Sequence, residues 1–409
     1  MRMLSKVAGR LALWTLGLSL DLSGCGISDT GLDLEQHAAG EGGGSGGNTD
    51  KPTPNPEPTE QDAGAPPTGG IGAAGGIGGI GVLPDAAPPT PDTATPPPVP
   101  DAAPPLWRAG RIAVAVGTGG RRMVSSDGVV WKGKEQDVAG TADSDRTLVS
   151  AAFARSRVVA VGGGCSNQVC RPRIMSFNGA TWTEHTAPND VGRLTGVAFG
   201  QGRWVVVGDR GPALTSDDGV KWKGVTQTSG RLRALAFGKV GTQDMFVAVG
   251  ANSLRIRSLD GLSWDHMVEG PPGPGDKPLA LAGVAIGGGA VVAAGDGGRR
   301  VRSVDGKTWT HLAGGGERLH TVVFHAEKFW AHSSNGVLNL SSDQGQSWSP
   351  IATIEGPEET LAVGRLDRGD VFVGGSWPAK ISSSPDGVGF NSASAEGENA
   401  ILKIVLAGP

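Results

Sequence analysis

Few residues in this 409-residue chain could do covalent chemistry: three Cys, seven His and no Tyr. Without Tyr, no mechanism can run through a tyrosyl nucleophile. Cys165 and Cys170 form a C-x4-C pair with no further ligands nearby, which is a poor zinc site. His266 and His311 each fall two residues past a recurring Trp, and each reads as a satisfied or solvated histidine. His320 and His325 differ by five, an odd spacing that points them to opposite faces of a strand. No nucleophile elbow, phosphate loop or zinc motif occurs, so neither a catalytic residue nor a metal or cofactor is expected.

The carboxylates are the remaining candidates, and most of them recur in one pattern. SSDGVVW, SFNGATW, SDDGVKW, SLDGLSW, SVDGKTW, SSDQGQSW and SPDGVGF are seven copies of S-x-[DN]-(x)-G-x-x-[WF]. They place Asp127, Asn178, Asp218, Asp260, Asp305, Asp343 and Asp386 at equivalent positions. Their terminal aromatics, Trp131, Trp182, Trp222, Trp264, Trp309, Trp348 and Phe390, are separated by 51, 40, 42, 45, 39 and 42 residues. A short acidic side chain that accepts turn N–H groups, followed by Gly at positive φ, is turn chemistry. These seven positions are therefore assigned to structure. Asp209 and Asp296 follow strand ends and read as turn residues too. A glycosidase would need two carboxylates facing each other across a cleft.

The elements that must carry these turns are short strands. In the third unit LTGVAFG, RWVVVGD, PALTS and VKWKGV are separated by Gly-rich turns, and no window of helical periodicity intervenes. A period of about 40–45 residues built from four strands is that of a propeller blade. The units resemble the Asp-box repeats of bacterial neuraminidases and the propellers of photosystem II assembly factors. That resemblance implies an all-β, seven-bladed β-propeller over residues 107–409. The region begins with a second-type strand near Arg111–Gly117 and ends with an unpartnered first-type strand, Ile401–Leu406. The C-terminal strand is therefore expected to complete the blade begun at the N-terminus, which removes exposed sheet edges. Tyr-dependent sialidase activity is excluded. A glycoside hydrolase of another mechanism, acting on a polysaccharide, stays as the alternative to a non-enzymatic binding or assembly module.

Residues 1–106 have a different composition. Met1–Arg10 is basic and Leu11–Leu20 is apolar but too short to span a bilayer of ~30 Å. Leu22-Ser23-Gly24-Cys25 resembles a bacterial lipobox, which implies removal of residues 1–24 and lipidation of Cys25. Gly26 in place of Asp favours the outer membrane of a bacterial envelope as the address. Residues 25–106 hold 16 of the 28 prolines, no aromatic residue and a net charge of −10 from residue 26 onward, so they are expected to be a disordered tether. In an exported chain, Cys165 and Cys170 are then expected to form a disulfide.

The total charge of −4 argues against a nucleic-acid binder, yet it leaves +4 on residues 107–409. Arginines recur before first and third strands, which a meander places at one end of the ring. Arg193, Arg231, Arg318, Arg255, Arg257, Arg299 and Arg300 form the candidate binding face, suited to an anionic protein or glycan. A monomer anchored to membrane through Cys25 is expected.

Overall fold

A computed structural model describes residues 110–408, apart from 138–143, 167–168, 229, 268–278, 313–314, 355–357, 377–379 and 395–398. The signal segment, Cys25 and the tether lie outside the described residues. So do parts of the irregular loops.

The second strand of each unit shows why the chain folds as it does. Ile112–Gly117, Arg203–Gly208 and Ala290–Gly295 are apolar at nearly every position, and all but Arg203 are buried. An unbroken apolar strand needs cover on both faces. Fourth strands such as Lys132–Glu135 and Asn391–Ser394 are polar and exposed, so each sheet is buried inside and wetted outside. Sheets with that gradient pack radially. The described residues form seven four-stranded antiparallel sheets, and the protein is a seven-bladed β-propeller.

Blade 1 holds Ile112–Gly117, Arg122–Ser125 and Lys132–Glu135. The first strands of blades 2 to 7 are Leu148–Ala154, Leu194–Gly200, Leu232–Val240, Leu281–Gly287, Leu319–His325 and Glu358–Leu366. Ile401–Ala407 pairs with Ile112–Gly117 and packs between the first strands of blades 7 and 2. The expected closure is therefore present, and blade 1 takes its inner strand from the C-terminus.

Seven apolar clusters fill the seven seams between blades, and each includes the aromatic that ends one repeat. The repeat turn fixes that aromatic. In blade 3, Ser216 Oγ donates to Asp218 Oδ1 at 2.9 Å, and Gly219 N donates to Ser216 Oγ at 2.8 Å. Val220 N and Lys221 N donate to the same Asp218 oxygen at 2.8 and 2.9 Å. The turn Gly has φ between 67° and 92° in all seven copies, a region that a Cβ disfavours. In blade 2, Asn178 Oδ1 accepts from Ala180 N and Thr181 N, so the amide serves as the carboxylate does. Blade 6 absorbs its extra residue at Gln344, φ 59°, and Asp343 still accepts from Gln346 N and Ser347 N.

Strand direction gives the ring two ends. First strands run from a mouth end to a box end, where the repeat turns sit. Cys165 and Cys170 are disulfide-bonded at the tip of the blade 2 hairpin, at the mouth end.

Candidate functional site

Each first strand enters the ring with the same irregularity. Pairing with the second strand skips one residue after the first position in all seven blades. The skipped residues are Val149, Thr195, Arg233, Ala282, His320, Glu359 and Leu402. A bulge leaves its extra residue unpaired and re-aims its side chain. Here all seven line the central channel, whose volume is about 110 Å³. The repeat thus builds a ring of seven positions at the mouth and fills it with seven different side chains. Register explains the choice of position, and only the side chains differ.

Charge concentrates around this ring. Arg193, Arg231 and Arg318 occupy one equivalent site, directly before a first strand; Arg231 is exposed and the other two are half-buried. Arg318 Nε lies 3.1 Å from Asp296 Oδ1, and Arg233 reaches Asp296 at 4.0 Å. The Asp296 backbone N donates to Ala280 O as Asp209 N does to Arg193 O, at 2.9 Å each. Both acids thus hold turns, as expected from the sequence, and both also face the arginines. Burial raises the Asp209 carboxyl above the usual range, opposed by Arg210, Arg193 and Arg231.

A second group links blades 6 and 7. His320 Nδ1 lies 3.7 Å from Glu359 Oε2. Burial, then the nearby Arg318, pulls the His320 imidazole down to about 4. Burial pushes Glu359 up, and Arg318 opposes that shift. His332 is fully buried, and among the described residues the backbone of Gly336 is the only group that favours its charged form. Burial and His320 hold it near 4 as well. The bulge turns His320 into the channel wall. His325, on the same strand, faces Asp370 at 3.4 Å.

The expected binding face needs correction at four positions, Arg255, Arg257, Arg299 and Arg300. Arg255 and Arg257 are 1% and 5% exposed, and neither can meet a partner. Arg255 covers the Trp309 ring of the next blade at 5.3 Å, and Arg300 covers Trp348 in the same way at 5.3 Å. Arg257 donates to Asp305 O and pairs with Asp265. Third strands are interior to each sheet, so their side chains point into seams, where a flat guanidinium caps a Trp face. Desolvation lowers Arg255 to about 10, and it stays charged at neutral pH. Arg299 is half-buried beside His311 at 3.1 Å. The mouth is therefore narrower than the sequence suggested: Arg193, Arg231 and Arg318, joined by Arg233.

Among the described residues no His, Cys, Asp or Glu cluster could hold a metal ion. Sequence reasoning passed over Arg233, Glu359, His332 and Lys403. Aligning the seven first strands would have shown Arg233, His320 and Glu359 at the position where the other blades carry Val, Thr, Ala or Leu.

No family model matches the chain, and no curated protein matches it. Among solved structures it is similar to the computationally designed Ika8 protein, at 13% identity and a TM-score of 0.48, covering 70% of this chain and 85% of that one. It is also similar to YCF48 bound to D1 peptide, at 17% identity and a TM-score of 0.47, covering 66% of this chain and 93% of that one.

Proposed function

We propose that the propeller is a non-enzymatic binding or assembly module, lipid-anchored through Cys25 in a bacterial envelope, whose mouth receives an anionic protein or glycan. The observation that carries this reading is the repeated placement of Arg193, Arg231 and Arg318 at one site around the channel, with Arg233 on the rim between them. Rim charges steer association and set its salt dependence more than they set affinity. A rigid ring that presents such charges on its irregular end is a scaffold for recognition.

The test replaces Arg193, Arg231 and Arg318 together by Gln. Gln removes charge without placing a carboxylate against Asp209 or Asp296, so the ring should fold with an unaltered melting transition. Binding of a partner isolated from solubilised envelope membranes should weaken about tenfold and lose most of its salt dependence. Unchanged affinity and salt slope in the triple variant would sink the proposal.

The hydrolase alternative would use the carboxyls held above their usual range, Asp209 on blade 3 and Glu359 on blade 7. Its signature is polysaccharide cleavage that disappears in Glu359→Gln.

A further inference from the structure

The channel just beneath the bulge ring is built asymmetrically. The residues that follow the bulges are Ser150, Gly196, Ala234, Gly283, Thr321, Thr360 and Lys403, and all but Gly196 line the same cavity. Read around the ring, blades 6, 7, 1 and 2 present Thr, Thr, Lys and Ser. Blades 3, 4 and 5 present Gly, Ala and Gly. Hydrogen-bond donors thus fill one arc, and the facing arc presents only Gly and Ala at this level.

Lys403 stands in the middle of the donor arc. Its position is set by pairing with Val116, while Ile401 and Ile404 on either side are buried toward blade 7. No hydrogen bond or ion pair holds its ammonium among the described residues, and burial pushes its pKa down. The hydroxyls of Thr321 and Thr360 likewise donate to no described group. Ser150 Oγ accepts from Val197 N at 3.3 Å, which leaves its proton available. Lys403 is half-buried on the cavity wall; a partly desolvated ammonium without a counter-charge is costly, and an anion beside it offsets that cost. The one carboxylate on this wall, Glu359, is engaged with His320 toward the mouth. Drug-sized ligands need ~300 Å³ or more. A cavity of about 110 Å³ suits a much smaller guest.

We propose that the channel is a binding site for one small oxyanion, of the phosphate, sulfate or short-carboxylate class, held by Lys403 and the hydroxyls of Thr321, Thr360 and Ser150. The arginine mouth lies above it and favours anion entry. This site lies one residue further along the first strands than the rim residue Arg233, which the mouth and the cavity share.

The test is thermal melting of the full chain with sodium phosphate or sodium sulfate exchanged for sodium chloride at constant ionic strength. A ligand bound only by the native state raises the melting temperature by mass action. The expected rise is about 2 °C or more at saturating phosphate. Lys403→Met, apolar and of similar length, should fold and lose the rise. The paired variant Thr321→Val with Thr360→Val should weaken phosphate binding about tenfold, which carries the test if the Met variant does not fold. The triple Arg193, Arg231 and Arg318 to Gln variant should keep the rise, so failure at the mouth and failure in the channel are told apart. No rise above chloride in the native sequence overturns the proposal. So does a rise retained in Lys403→Met or lost only in the arginine variant, which would place the anion at the mouth.

Discussion

Single residues set the acid stability of this ring, and two kinds act in separate pH windows. His320 and His332 are lowered from 6.5 to about 4 in the folded chain. The unfolded chain then binds protons that the native one refuses, so stability falls as pH drops from 6.5 toward 4 and levels below that. The turn aspartates behave oppositely. Asp218, Asp305 and Asp343 are lowered from 3.8 to about 2 because turn N–H and hydroxyl groups donate to the carboxylate. Their contribution is complete above 3.8 and is lost as pH falls toward 2. Melting temperature against pH should therefore decline in two steps. His332→Leu should remove on the order of 2 kcal/mol of the first step, and Asp218→Asn should leave that step and trim the second by less than about 1 kcal/mol, since the site is exposed and screened. A first step unchanged by His332→Leu would contradict the assignment. The two kinds were not equally legible. Asp218 announces itself because its pattern occurs seven times, whereas His332 and Lys403 occur once each and carry meaning only through the strand register around them.

At the scale of elements, closure rests on one strand. Ile401–Ala407 supplies the inner strand of blade 1, with Ile401, Ile404 and Ala407 buried. Cutting the chain after Asn399 removes those side chains, each large one contributing about 1.5–3 kcal/mol. It also opens the edge of Ile112–Gly117 and the seams to blades 7 and 2. A ring of ordinary net stability, about 5–15 kcal/mol, does not survive that loss. The truncated chain should aggregate or melt without a cooperative transition, and a synthetic peptide of residues 400–408 should restore the transition by strand addition. An unaltered melting curve for the truncated chain would show that the ring closes elsewhere. This strand was readable in advance because strand types could be counted, and the count leaves one first-type strand over at the end. The bulges were not readable. An extra residue looks like ordinary irregularity in a short apolar run, and only the pairing partner reveals that the same slot slips in all seven blades.

For the whole molecule, what matters is where the chain enters the ring and what the proposed anchor at Cys25 then requires. The chain enters the propeller at Ile112–Gly117, a second strand, and second strands begin at the box end. Arg111 N is tied there to Asp367 Oδ1 of blade 7 at 3.1 Å. The described chain therefore enters the ring at its box end, opposite the arginine mouth. Two linked outcomes are expected. The mature protein should begin at Cys25 and partition into detergent, and Cys25→Ser should leave the chain in the aqueous phase or stall its processing. Protease cleavage within 26–106 should then release a fragment ending at Pro409 that melts at the temperature of the parent, because every seam of the ring is closed by residues 112–407. That fragment should also keep its affinity for the partner, since the mouth lies away from the cut. A mature N-terminus elsewhere, without lipid, refutes the anchor. A released ring that melts at a lower temperature or loses its partner shows that the tether contributes to the fold or to the mouth, and this arrangement is then wrong.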